Sequence, residues 1–560
     1  MSNVSPDTLA LQRFYHWEQT APQRVSLTQP TGGGAARDYT WAEIGDQVRR
    51  MATHIQTFGF EPGARVALMS KNCAHWLMCD MAIWMAGYVS VPLYPTLAAG
   101  TVRQILEHSE SRLLFIGKLD DFDTMKHGIP AGLPCITLPQ SPKTDFPTWD
   151  EIIARTQPLQ GNPVRNGDDL CTLMYTSGTT GNPKGVMHSF NTFAWAITEG
   201  LKRIEVSSEA RMLSYLPLSH VAERMLVQHS WLARSVHVFF AESLDTFAQD
   251  LRRARPTVFF SVPRLWVKFQ QGIHAKMPPK KLQRMLSIPI LRGIVRKKVL
   301  TALGLECCVY AAGGAAPMPP ALLKWYAQLG LNLIEVYGMT ENCGLSHATL
   351  SGQPRPGTVG MPYAGLESRI DPVTGEIQMR GGCVMLGYYK EPELTKQTFT
   401  EDGWLKTGDK GALDETGALK ITGRVKDLFK TSKGKYVAPA PIEDKLVMHS
   451  AVEACIVTGA NLGQPLGIVI LSPDAAQRAK DAGQWRAMES SFEAHLHEIN
   501  ATLDPHEQLD CLVVMTTSWT VENGFVTPTM KVKRNKIEET YANFYEPWIG
   551  QRKKVIWHQT

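Results

Sequence analysis

The sequence has 560 residues, of which 44% are hydrophobic and 20% are charged. This composition is typical of globular proteins and excludes a mainly disordered or fibrous chain. The 58 basic and 53 acidic residues leave a net charge of only +5, which does not indicate a dedicated nucleic-acid-binding protein. At about 100–200 residues per domain, the length predicts several domains or subdomains.

The N-terminal stretch has no basic segment followed by an apolar run, so no secretory signal is predicted. The most apolar window, residues 76–94, is interrupted by Asp80, Gly87, Ser90 and Pro92. A membrane span usually needs about 20 mostly apolar residues, so this window predicts a buried helix that runs into a strand. The ten cysteines are scattered without a CxxC pair, which favours neither a disulfide framework nor a zinc site. We therefore expect a protein of the reducing cytoplasm.

In the first part of the chain, strand-like apolar runs alternate with helix-like stretches. In order, these are a strand at 65–70, a helix at 74–86, a strand at 88–93, a helix at 101–110 and a strand at 113–116. This alternation predicts an α/β fold with βαβ units and a largely parallel sheet. Residues 350–423 differ, because short strand-like runs with frequent glycines predict a small β-barrel-like subdomain.

A strongly basic segment lies at residues 276–298. It contains eight lysines and arginines and no acidic residue, with apolar residues interleaved. One interpretation is a solvated helix surface, since long basic side chains commonly cover apolar surface with their stems. The other is a patch that contacts anionic lipid or a polyphosphate ligand.

The most informative motif is the run YTSGTTGNPKG at residues 175–185, which follows a strand-like apolar run at 170–174. Its glycines allow backbone N–H groups to surround an anion, and its hydroxyls and ammonium add donors for phosphate oxygens. A Walker A loop requires Gly-Lys followed by Ser or Thr. Here Lys184 precedes Gly185, so an ordinary P-loop kinase or ATPase is disfavoured.

Four further motifs follow in order: GGAAP at 313–317, YGMTE at 337–341, WLKTGD at 404–409 and GRVKD at 423–427. Together with the 175–185 run, they resemble the adenylate-forming superfamily of acyl-CoA synthetases, peptide-synthetase adenylation domains and firefly luciferase. The resemblance implies a luciferase-like fold with an AMP- and acyl-binding domain over 1–423, a hinge at 424–427 and a small mobile α+β domain over 428–560.

The resemblance also implies a nucleotide site. Its residues are Thr176, Ser177, Gly178, Thr179, Thr180, Gly181, Lys184, Gly314, Ala315, Ala316, Tyr337, Gly338, Met339, Thr340, Asp409, Ile421, Arg424, Lys433, Gly434 and Lys531. Glu341 and Thr180 offer hard oxygen ligands suited to Mg²⁺. Asp409 could accept hydrogen bonds from both ribose hydroxyls, and Arg424 could bridge ribose and phosphate. The simpler alternatives are a turn aspartate at 409 and a surface ion pair at 424.

The expected chemistry joins two anions, a carboxylate and the α-phosphate of ATP, so the site must neutralise charge. The resemblance assigns catalytic roles to Thr340 and Glu341, and places His220 near the acyl carboxylate, although a structural histidine is the alternative. For the adenylation lysine, alignment of the run TPTMKVKR at 527–534 on its final arginine favours Lys531, with Lys533 as the competitor.

The family works by two half-reactions, acyl-adenylate formation and then attack by the CoA thiol, with rotation of the small domain between them. A rotation needs a hinge residue that tolerates a large change in φ and ψ, and the motif places it at Lys426. After rotation, the loop at 433–435 would face CoA, whereas a merely solvated Lys435 is the alternative.

Three stretches, at 215–224, 255–266 and 527–534, resemble long-chain fatty acyl-CoA synthetases. The leading prediction is therefore ligation of a long-chain fatty acid to coenzyme A, with ATP and Mg²⁺ and with release of AMP and pyrophosphate. Gly314 and Gly338 would let the acyl chain pass close to the backbone. Some long-chain relatives carry an aromatic gate four residues after the family histidine, and this position is Arg224 here.

Several alternatives stay open. One is a fatty acyl-AMP ligase that loads an acyl carrier protein, and another is a CoA ligase for a medium-chain or other acid. A third is a membrane-associated scaffold that only binds nucleotide. The expected partners are the small-molecule substrates and an anionic membrane surface contacted through 276–298, with no nucleic acid, and the protein could be a monomer or a homodimer.

Overall fold

The structure, a computed structural model, describes residues 4–177, 183–316, 318–353, 355–527 and 531–558, with the side chains of Ser177 and Ala482 left aside. The chain divides into two compact units. The first comprises Met1–Ser368 and Met379–Leu405, and the second comprises Arg369–Gln378 and Lys406–Thr560.

The strands, in chain order, are β1 Val25–Gly32, β2 Ala35–Thr40, β3 Arg65–Met69, β4 Val89–Leu93, β5 Leu113–Ile116, β6 Cys135–Thr137, β7 Leu170–Ser177, β8 Pro183–Ser189, β9 Arg211–Ser214, β10 His237–Phe240, β11 Val258–Ser261, β12 Tyr310–Gly313, β13 Leu333–Tyr337, β14 His347–Ala348, β15 Met361–Pro362, β16 Glu367–Ile370, β17 Glu376–Arg380, β18 Gly387–Tyr388, β19 Leu405–Leu413, β20 Leu419–Arg424, β21 Phe429–Lys430, β22 Tyr436–Val437, β23 Val452–Thr458, β24 Leu466–Leu471, β25 Leu512–Met515 and β26 Val555–His558.

The α-helices are α1 Ala10–Thr20, α2 Trp41–Gln56, α3 Ala74–Met85, α4 Ala99–His108, α5 Phe122–Met125, α6 Trp149–Arg155, α7 Phe190–Arg203, α8 Val221–Glu223, α9 Ser230–Arg234, α10 Phe247–Ala254, α11 Pro263–Lys276, α12 Pro279–Ser287, α13 Pro289–Leu303, α14 Pro320–Gln328, α15 Pro392–Thr398, α16 Pro439–Leu446, α17 Pro473–Arg478, α18 Ala482–Asn500, α19 Arg534–Tyr541 and α20 Tyr545–Gly550. A π-helical turn, Arg224–His229, joins α8 to α9.

The first unit contains three sheets, with strand orders β2-β1-β10-β9, β18-β8-β7-β4-β3-β5-β6 and β11-β12-β13-β14-β15. In the seven-stranded sheet β3 pairs in parallel with β4 and β5, and β4 pairs in parallel with β7. The predicted βαβ organisation is therefore confirmed. The predicted buried helix that runs into a strand is also confirmed, since every residue of α3 and of β4 is buried.

The boundaries of these elements follow from local chemistry. Thr40 and Glu43 form a reciprocal capping box that begins α2, and one face of that helix is buried at Ile44, Val48 and Met51. The helix predicted at 101–110 begins and ends two residues earlier than expected. It stops at His108 because Glu110 has a φ of 53°, a left-handed conformation that a helix cannot continue through.

The second unit contains the sheet β16-β17-β19-β20, the hairpin β21-β22 and the sheet β23-β24-β25-β26. The first of these sheets occupies the region that the sequence analysis described as barrel-like. In the last sheet, alternate residues face opposite sides, as strand geometry requires. One side packs against α16 and α18, and the other against α19 and α20, so the sheet lies between two helical layers.

Among the residues that the structure describes, no helix is both long enough and apolar enough to span a bilayer.

Candidate active site

Two of the predicted nucleotide loops leave the same edge of a sheet. Strands β12 and β13 are parallel neighbours, with Ala312 paired to Ile334. The loop that begins at Gly314 follows β12, and the loop that begins at Gly338 follows β13. Because the carboxyl ends of adjacent parallel strands lie side by side, the structure brings these two motifs together, at the kind of edge where α/β proteins bind ligands.

Both loops require glycine because the chain itself packs closely there. A Cβ added at Gly314 would lie 2.7 Å from Cγ2 of Val336, and one added at Gly338 would lie 2.2 Å from the carbonyl oxygen of Gly344. The space at these two Cα atoms is therefore filled by the protein. Packing against neighbouring protein atoms is one physical reason for glycine at these positions, and the expected passage of an acyl chain close to them stays a prediction.

The run at 175–185 lies on an antiparallel pair of strands. Thr176 at the end of β7 is paired with Lys184 near the start of β8. The chain thus returns from the loop as a strand, whereas a Walker A loop leads into a helix. The predicted site residues Gly178, Thr179, Thr180 and Gly181 lie outside the described residues, as does Pro317 of the GGAAP motif.

Tyr388 contacts both the 175–185 motif and the YGMTE motif. Its hydroxyl donates a hydrogen bond to Oε1 of Glu341 at 2.8 Å, and its ring centroid lies 5.7 Å from Nζ of Lys184. Burial, together with the charge of Glu341, raises the pKa of Tyr388 well above its usual value, so the phenol stays protonated and acts as the donor. The structure therefore brings Lys184 and Glu341 to one aromatic side chain, and nothing in the sequence distinguishes this tyrosine from Tyr389.

His188, which lies on β8, forms a hydrogen bond to the backbone of the YGMTE motif. Its Nε2 donates to the carbonyl oxygen of Thr340 at 2.7 Å, and Nδ1 lies 3.4 Å from Sγ of Cys343. Burial lowers the pKa of His188 to about 4, so the ring is neutral near pH 7. A neutral imidazole that donates through Nε2 fixes the backbone at Thr340, and the sequence analysis did not identify this role.

The carboxylate of Glu341 is a suitable ligand for Mg²⁺. One oxygen accepts the bond from Tyr388, and no other side-chain hydrogen bond to Glu341 occurs among the described residues. The described part of the chain contains no cluster of three or more histidine, cysteine or acidic residues that could hold a metal on its own. A single carboxylate suits Mg²⁺, which commonly retains waters and binds substrate phosphates.

His220 lies beside the loop that begins at Gly338. Its Nδ1 accepts a hydrogen bond from the backbone N–H of Ala222 at 3.2 Å, at the start of α8. The next residue, Val221, approaches the Cβ direction of Gly344 to 3.6 Å. The predicted acid-binding histidine and the YGMTE loop are therefore neighbours in the first unit.

Glu223 holds the segment that carries His220. Its Oε1 accepts hydrogen bonds from Oγ of Ser214 at 2.8 Å, the backbone N–H of Tyr215 at 2.9 Å and Nδ2 of Asn72 at 3.2 Å. Burial raises the pKa of Glu223 to about 8. Sequence reasoning missed this anchor, because its partners come from two separate parts of the chain, Asn72 and the pair Ser214 and Tyr215.

Arg224, at the position of the aromatic gate in some long-chain relatives, is an internal structural residue. Its guanidinium is completely buried and donates to Asp80 at 2.5 Å and to Thr172 at 2.7 Å. It also lies 5.5 to 5.7 Å from the ring centroids of Trp76, Trp84 and Phe193. A side chain with these bonds and neighbours is fixed, so it does not supply a gate that swings.

In the second unit, Asp409 of the WLKTGD motif and Arg424 of the GRVKD motif face each other on two paired strands. Asp409 on β19 is opposite Arg424 on β20, and Nε of Arg424 lies 3.0 Å from Oδ1 of Asp409. Ile421 lies on the same strand, opposite Gly411. Arg424 thus forms an ion pair with Asp409, the simpler alternative given for it, and the binding of ribose and phosphate by these two residues stays a prediction.

The hinge and the predicted CoA-side loop are exposed. Lys426 lies in the turn that follows β20, and Lys433 lies in the turn between β21 and β22. Gly434 completes this turn with a φ of 77°, which favours glycine. Lys435 is also exposed, so both interpretations of that residue stay open.

Lys531 is exposed, and its backbone is hydrogen-bonded to Thr527. The backbone N–H of Thr527 donates to the carbonyl of Lys531 at 2.7 Å, and the N–H of Lys531 donates to Oγ1 of Thr527 at 3.1 Å. Its competitor Lys533 is half-buried at the start of α19, with its backbone N–H bonded to Phe525. The more exposed ammonium suits a mobile cation that meets a substrate.

Arg534 anchors this part of the chain to the rest of the second unit. Its guanidinium bonds to the carboxylate of Glu443 and donates to the carbonyl of Val457 at 2.7 Å. It also lies 3.8 Å from Oδ2 of Asp427, in the hinge motif. One half-buried arginine, close in sequence to Lys531, therefore connects this part of the chain to the GRVKD motif and to strand β23.

Comparisons with known proteins agree with this arrangement. A long-chain-fatty-acid–CoA ligase of Mycobacterium bovis is 30% identical, with 96% of each chain covered. A long chain acyl-CoA synthetase of Arabidopsis thaliana is 28% identical, with 97% of this chain and 91% of that chain covered.

Solved structures show the same fold. The A domain of a carboxylic acid reductase from Segniliparus rugosus, in complex with AMP and a co-purified carboxylic acid, matches with a TM-score of 0.79 at 22% identity, over 97% of this chain and 94% of that chain. An anthranilate CoA ligase in complex with anthranoyl-AMP matches with a TM-score of 0.76 at 20% identity, over 95% of this chain and 97% of that chain.

The family models cover most of the sequence. A model described as AMP-binding enzyme matches residues 14–389, and one described as AMP-binding enzyme C-terminal domain matches residues 426–546. The ordered motifs, the fold and these matches agree, and we conclude that the chain belongs to the AMP-binding enzyme family.

Proposed function

We propose that this protein ligates a long-chain fatty acid to coenzyme A through an acyl-adenylate. A carboxylate oxygen attacks the α-phosphorus of ATP and pyrophosphate leaves; the CoA thiol then attacks the acyl carbon and AMP leaves. The observation that carries the proposal is the meeting of Lys184 and Glu341 at Tyr388, beside the loop of His220. The names of the similar enzymes support a long-chain acid as the substrate.

During adenylation, different residues of the first unit would bind the phosphates, Mg²⁺ and the carboxylate. The 175–185 loop would bind the phosphates, with Lys184 as its cation, and His220 would face the carboxylate. Glu341 and Thr180 would hold Mg²⁺, which supplies positive charge to the phosphate oxygens when bound. Tyr388 and His188 would keep Glu341 and Thr340 in position, because each bonds directly to one of them.

We further propose that the C-terminal part of the second unit, residues 428–560, serves both half-reactions in turn. In this scheme residues 1–423 bind ATP and acid, 424–427 form the hinge and 428–560 move. Lys531 would meet the α-phosphate during adenylation, and the loop at 433–435 would face CoA afterwards. Asp409 and Arg424 would bind the ribose, as a paired acceptor and cation.

The overall reaction is tested with purified protein, ATP, Mg²⁺, palmitate and CoA. The expected result is release of AMP that depends on both the acid and CoA. A series of acids of different chain length, each offered CoA or acyl carrier protein, identifies the acid and the acceptor. Release of AMP with carrier protein and not with CoA would contradict the proposed ligase and favour a carrier-loading enzyme.

The roles of the second unit are tested by measuring the half-reactions separately. Lys531→Ala should abolish most pyrophosphate exchange and spare thioester formation from supplied acyl-adenylate, whereas Lys533→Ala, as the matched control, should retain both. Lys426→Pro should retain exchange and lose thioester formation, because proline fixes φ at the hinge. Equal loss of both half-reactions in Lys531→Ala and Lys426→Pro would refute the rotation scheme.

We propose a cytoplasmic location with peripheral attachment to a membrane. The ten cysteines are all free, which suits a reducing compartment. Attachment would bring the enzyme to the bilayer in which long-chain acids dissolve.

A further inference from the structure

The basic segment at 276–298 forms the end of α11, helix α12 and most of α13. Its buried apolar residues, Leu282, Leu286 and Val295, face the core of the first unit. This part of the segment fits the interpretation of an ordinary helical surface. Met277 and Met285 also pack against that core, whereas Ile288, Ile290 and Ile294 are exposed and do not fit this interpretation.

Three isoleucines on this surface are exposed. The exposed fraction is 42% for Ile288, 83% for Ile290 and 63% for Ile294. Ile290 and Ile294 are four residues apart on α13, so they lie on the same face of the helix. Lys297 and Lys298 continue that face one turn further along, and both are exposed. The outer face of α13 is therefore apolar at one end and cationic at the other.

The charge of this surface is not neutralised by the protein. The sequence contains no acidic residue from 251 to 305. Among the described residues, none of the eight basic side chains at 276–298 forms an ion pair with a carboxylate. Arg292 and Arg296 each donate one N–H to a backbone carbonyl, of Leu286 and Gln328 respectively, and these bonds leave the cationic charge in place.

We propose that the surface formed by α12 and α13 docks on an anionic lipid bilayer, with Ile288, Ile290 and Ile294 entering the headgroup region and the surrounding lysines and arginines binding lipid phosphates. This inference deepens the proposed function, since the bilayer would be the source of the fatty acid. Exposed isoleucines favour an apolar phase, and unpaired cations favour an anionic surface; a bilayer with anionic lipid combines both.

A protein partner fits this surface less well. The three isoleucines are exposed, and basic side chains lie on both helices around them. A bilayer with anionic lipid offers an apolar phase and phosphates in one surface, whereas a protein partner would need an acidic face with a matching apolar patch inside it. We therefore commit to the bilayer and make a protein partner one of the outcomes of the test.

The experiment measures sedimentation of the full-length protein with vesicles made of equal parts phosphatidylcholine and phosphatidylglycerol, and with vesicles of phosphatidylcholine alone. The wild-type protein should bind the anionic vesicles and release from them as salt is added. The double variant Ile290→Asp/Ile294→Asp should bind at least tenfold more weakly, and so should Lys297→Glu/Lys298→Glu.

The matched control is Leu244→Asp. Leu244 is another highly exposed apolar residue, at 94%, but it lies next to Asp245 and near Glu242. Its substitution should leave vesicle binding unchanged. Adenylation of a water-soluble carboxylic acid without vesicles should be the same in every variant, which separates loss of docking from loss of the proposed activity.

Equal binding of wild-type protein to neutral and anionic vesicles would overturn the proposal. So would unchanged vesicle binding by both double variants, or variants that lose binding to an acidic carrier protein while still binding vesicles. All substituted positions are on the surface, so the circular dichroism spectra should match that of the wild-type protein.

Discussion

Tyr388 contacts two of the predicted site residues through two different parts of its side chain. The hydroxyl holds Oε1 of Glu341, which leaves the other carboxylate oxygen to face a ligand, and the ring lies near the ammonium of Lys184. A hydrogen bond to a charged group contributes about 1.5–3 kcal/mol. If Glu341 binds Mg²⁺, the orientation of that carboxylate affects how much Mg²⁺ the enzyme requires.

We expect Tyr388→Phe to lower the rate of pyrophosphate exchange roughly tenfold to a hundredfold, the range that follows from losing such a bond. The Mg²⁺ concentration for half-maximal rate should also rise, which a purely structural defect would not cause. Tyr389→Phe is the control, because that hydroxyl makes only a long bond of 3.4 Å to the exposed Glu110. An unchanged Mg²⁺ requirement in Tyr388→Phe would contradict the positioning role.

The pair of Arg224 and Asp80 has a structural consequence, since both side chains are completely buried. Removing one partner of a buried pair costs about 3–5 kcal/mol, because the other charge is left without compensation. We expect Arg224→Met to destabilise the first unit by that amount in denaturant unfolding followed by tryptophan fluorescence. The double variant Arg224→Met/Asp80→Leu should recover much of the loss, and equal destabilisation in both variants would contradict this account.

At the scale of elements, the segment that follows β13 folds back on itself, and its backbone at Gly344 contacts Gly338. A Cβ there would lie 2.2 Å from a backbone oxygen of Gly344, an atom that cannot move without shifting the loop beside His220. Gly338→Ala should therefore reduce pyrophosphate exchange by more than tenfold, as expected when catalytic groups shift by about 1 Å. The melting temperature should stay close to that of the wild-type protein, whereas the exchange rate should fall.

Gly272→Ala is the matched control for this substitution. Gly272 lies inside α11, and a Cβ there would have no atom within 4 Å. Alanine in a helix interior is favoured over glycine by about 1 kcal/mol, so this variant should keep its activity and gain slightly in stability. A Gly338→Ala variant with normal exchange would show that the loop tolerates the shift.

Strands and helices with clear periodicity could be predicted from the sequence, as α3 and β4 illustrate. The positions of the motifs in the first unit could be predicted as a set, because their order along the chain is that of a known family. His188 and Tyr388 could not be predicted. Each acts through one contact with the 340–341 turn, from residues 152 and 47 positions away in the chain, and pairs at such separations leave no local pattern.

Arg224 shows the opposite limit of sequence reasoning. Arg224 has the position of the gate in some long-chain relatives, but sequence alone gave no reason to expect that Asp80 and three aromatic rings surround the side chain there. Burial and partners are properties of the folded chain. The glycines at 314 and 338 show the same limit, since the close packing of Val336 and Gly344 against them could not be predicted from the sequence.

For the whole molecule, buried titratable groups make stability depend on pH. Burial lowers the pKa of His347 to about 4 and that of His75 to about 3, as it does for His188. The unfolded state then binds more protons below about pH 6.5, so stability decreases as the pH falls through this window. Burial raises the pKa of Glu335 to about 8, as it does for Glu223, so stability decreases as the pH rises from about 4.5 towards 8.

We expect the melting temperature of the first unit to be highest near about pH 6.5, where the histidine contribution is complete and the glutamate contribution is only partly lost. Circular dichroism melting over a pH series measures this. Glu223→Gln should flatten the decline above about pH 6.5 and steepen the rise between about pH 4.5 and 6.5, because the Glu223 contribution is lost across both windows. A melting temperature that rises steadily from pH 5 to pH 8 would show that the raised glutamate pKa values do not control stability.

Arg534 has a consequence for the timing of the proposed reaction. It holds the part of the chain that carries Lys531 on Glu443 and Val457, while the turn that carries Lys433 is bonded at Ser432 to Leu462, just beyond the same strand. Both lysine-bearing segments are thus bonded to β23 or to residues beside it. If the small domain rotates as proposed, the two segments move together, so the arrival of one at the reacting atoms withdraws the other and the two steps follow one after the other.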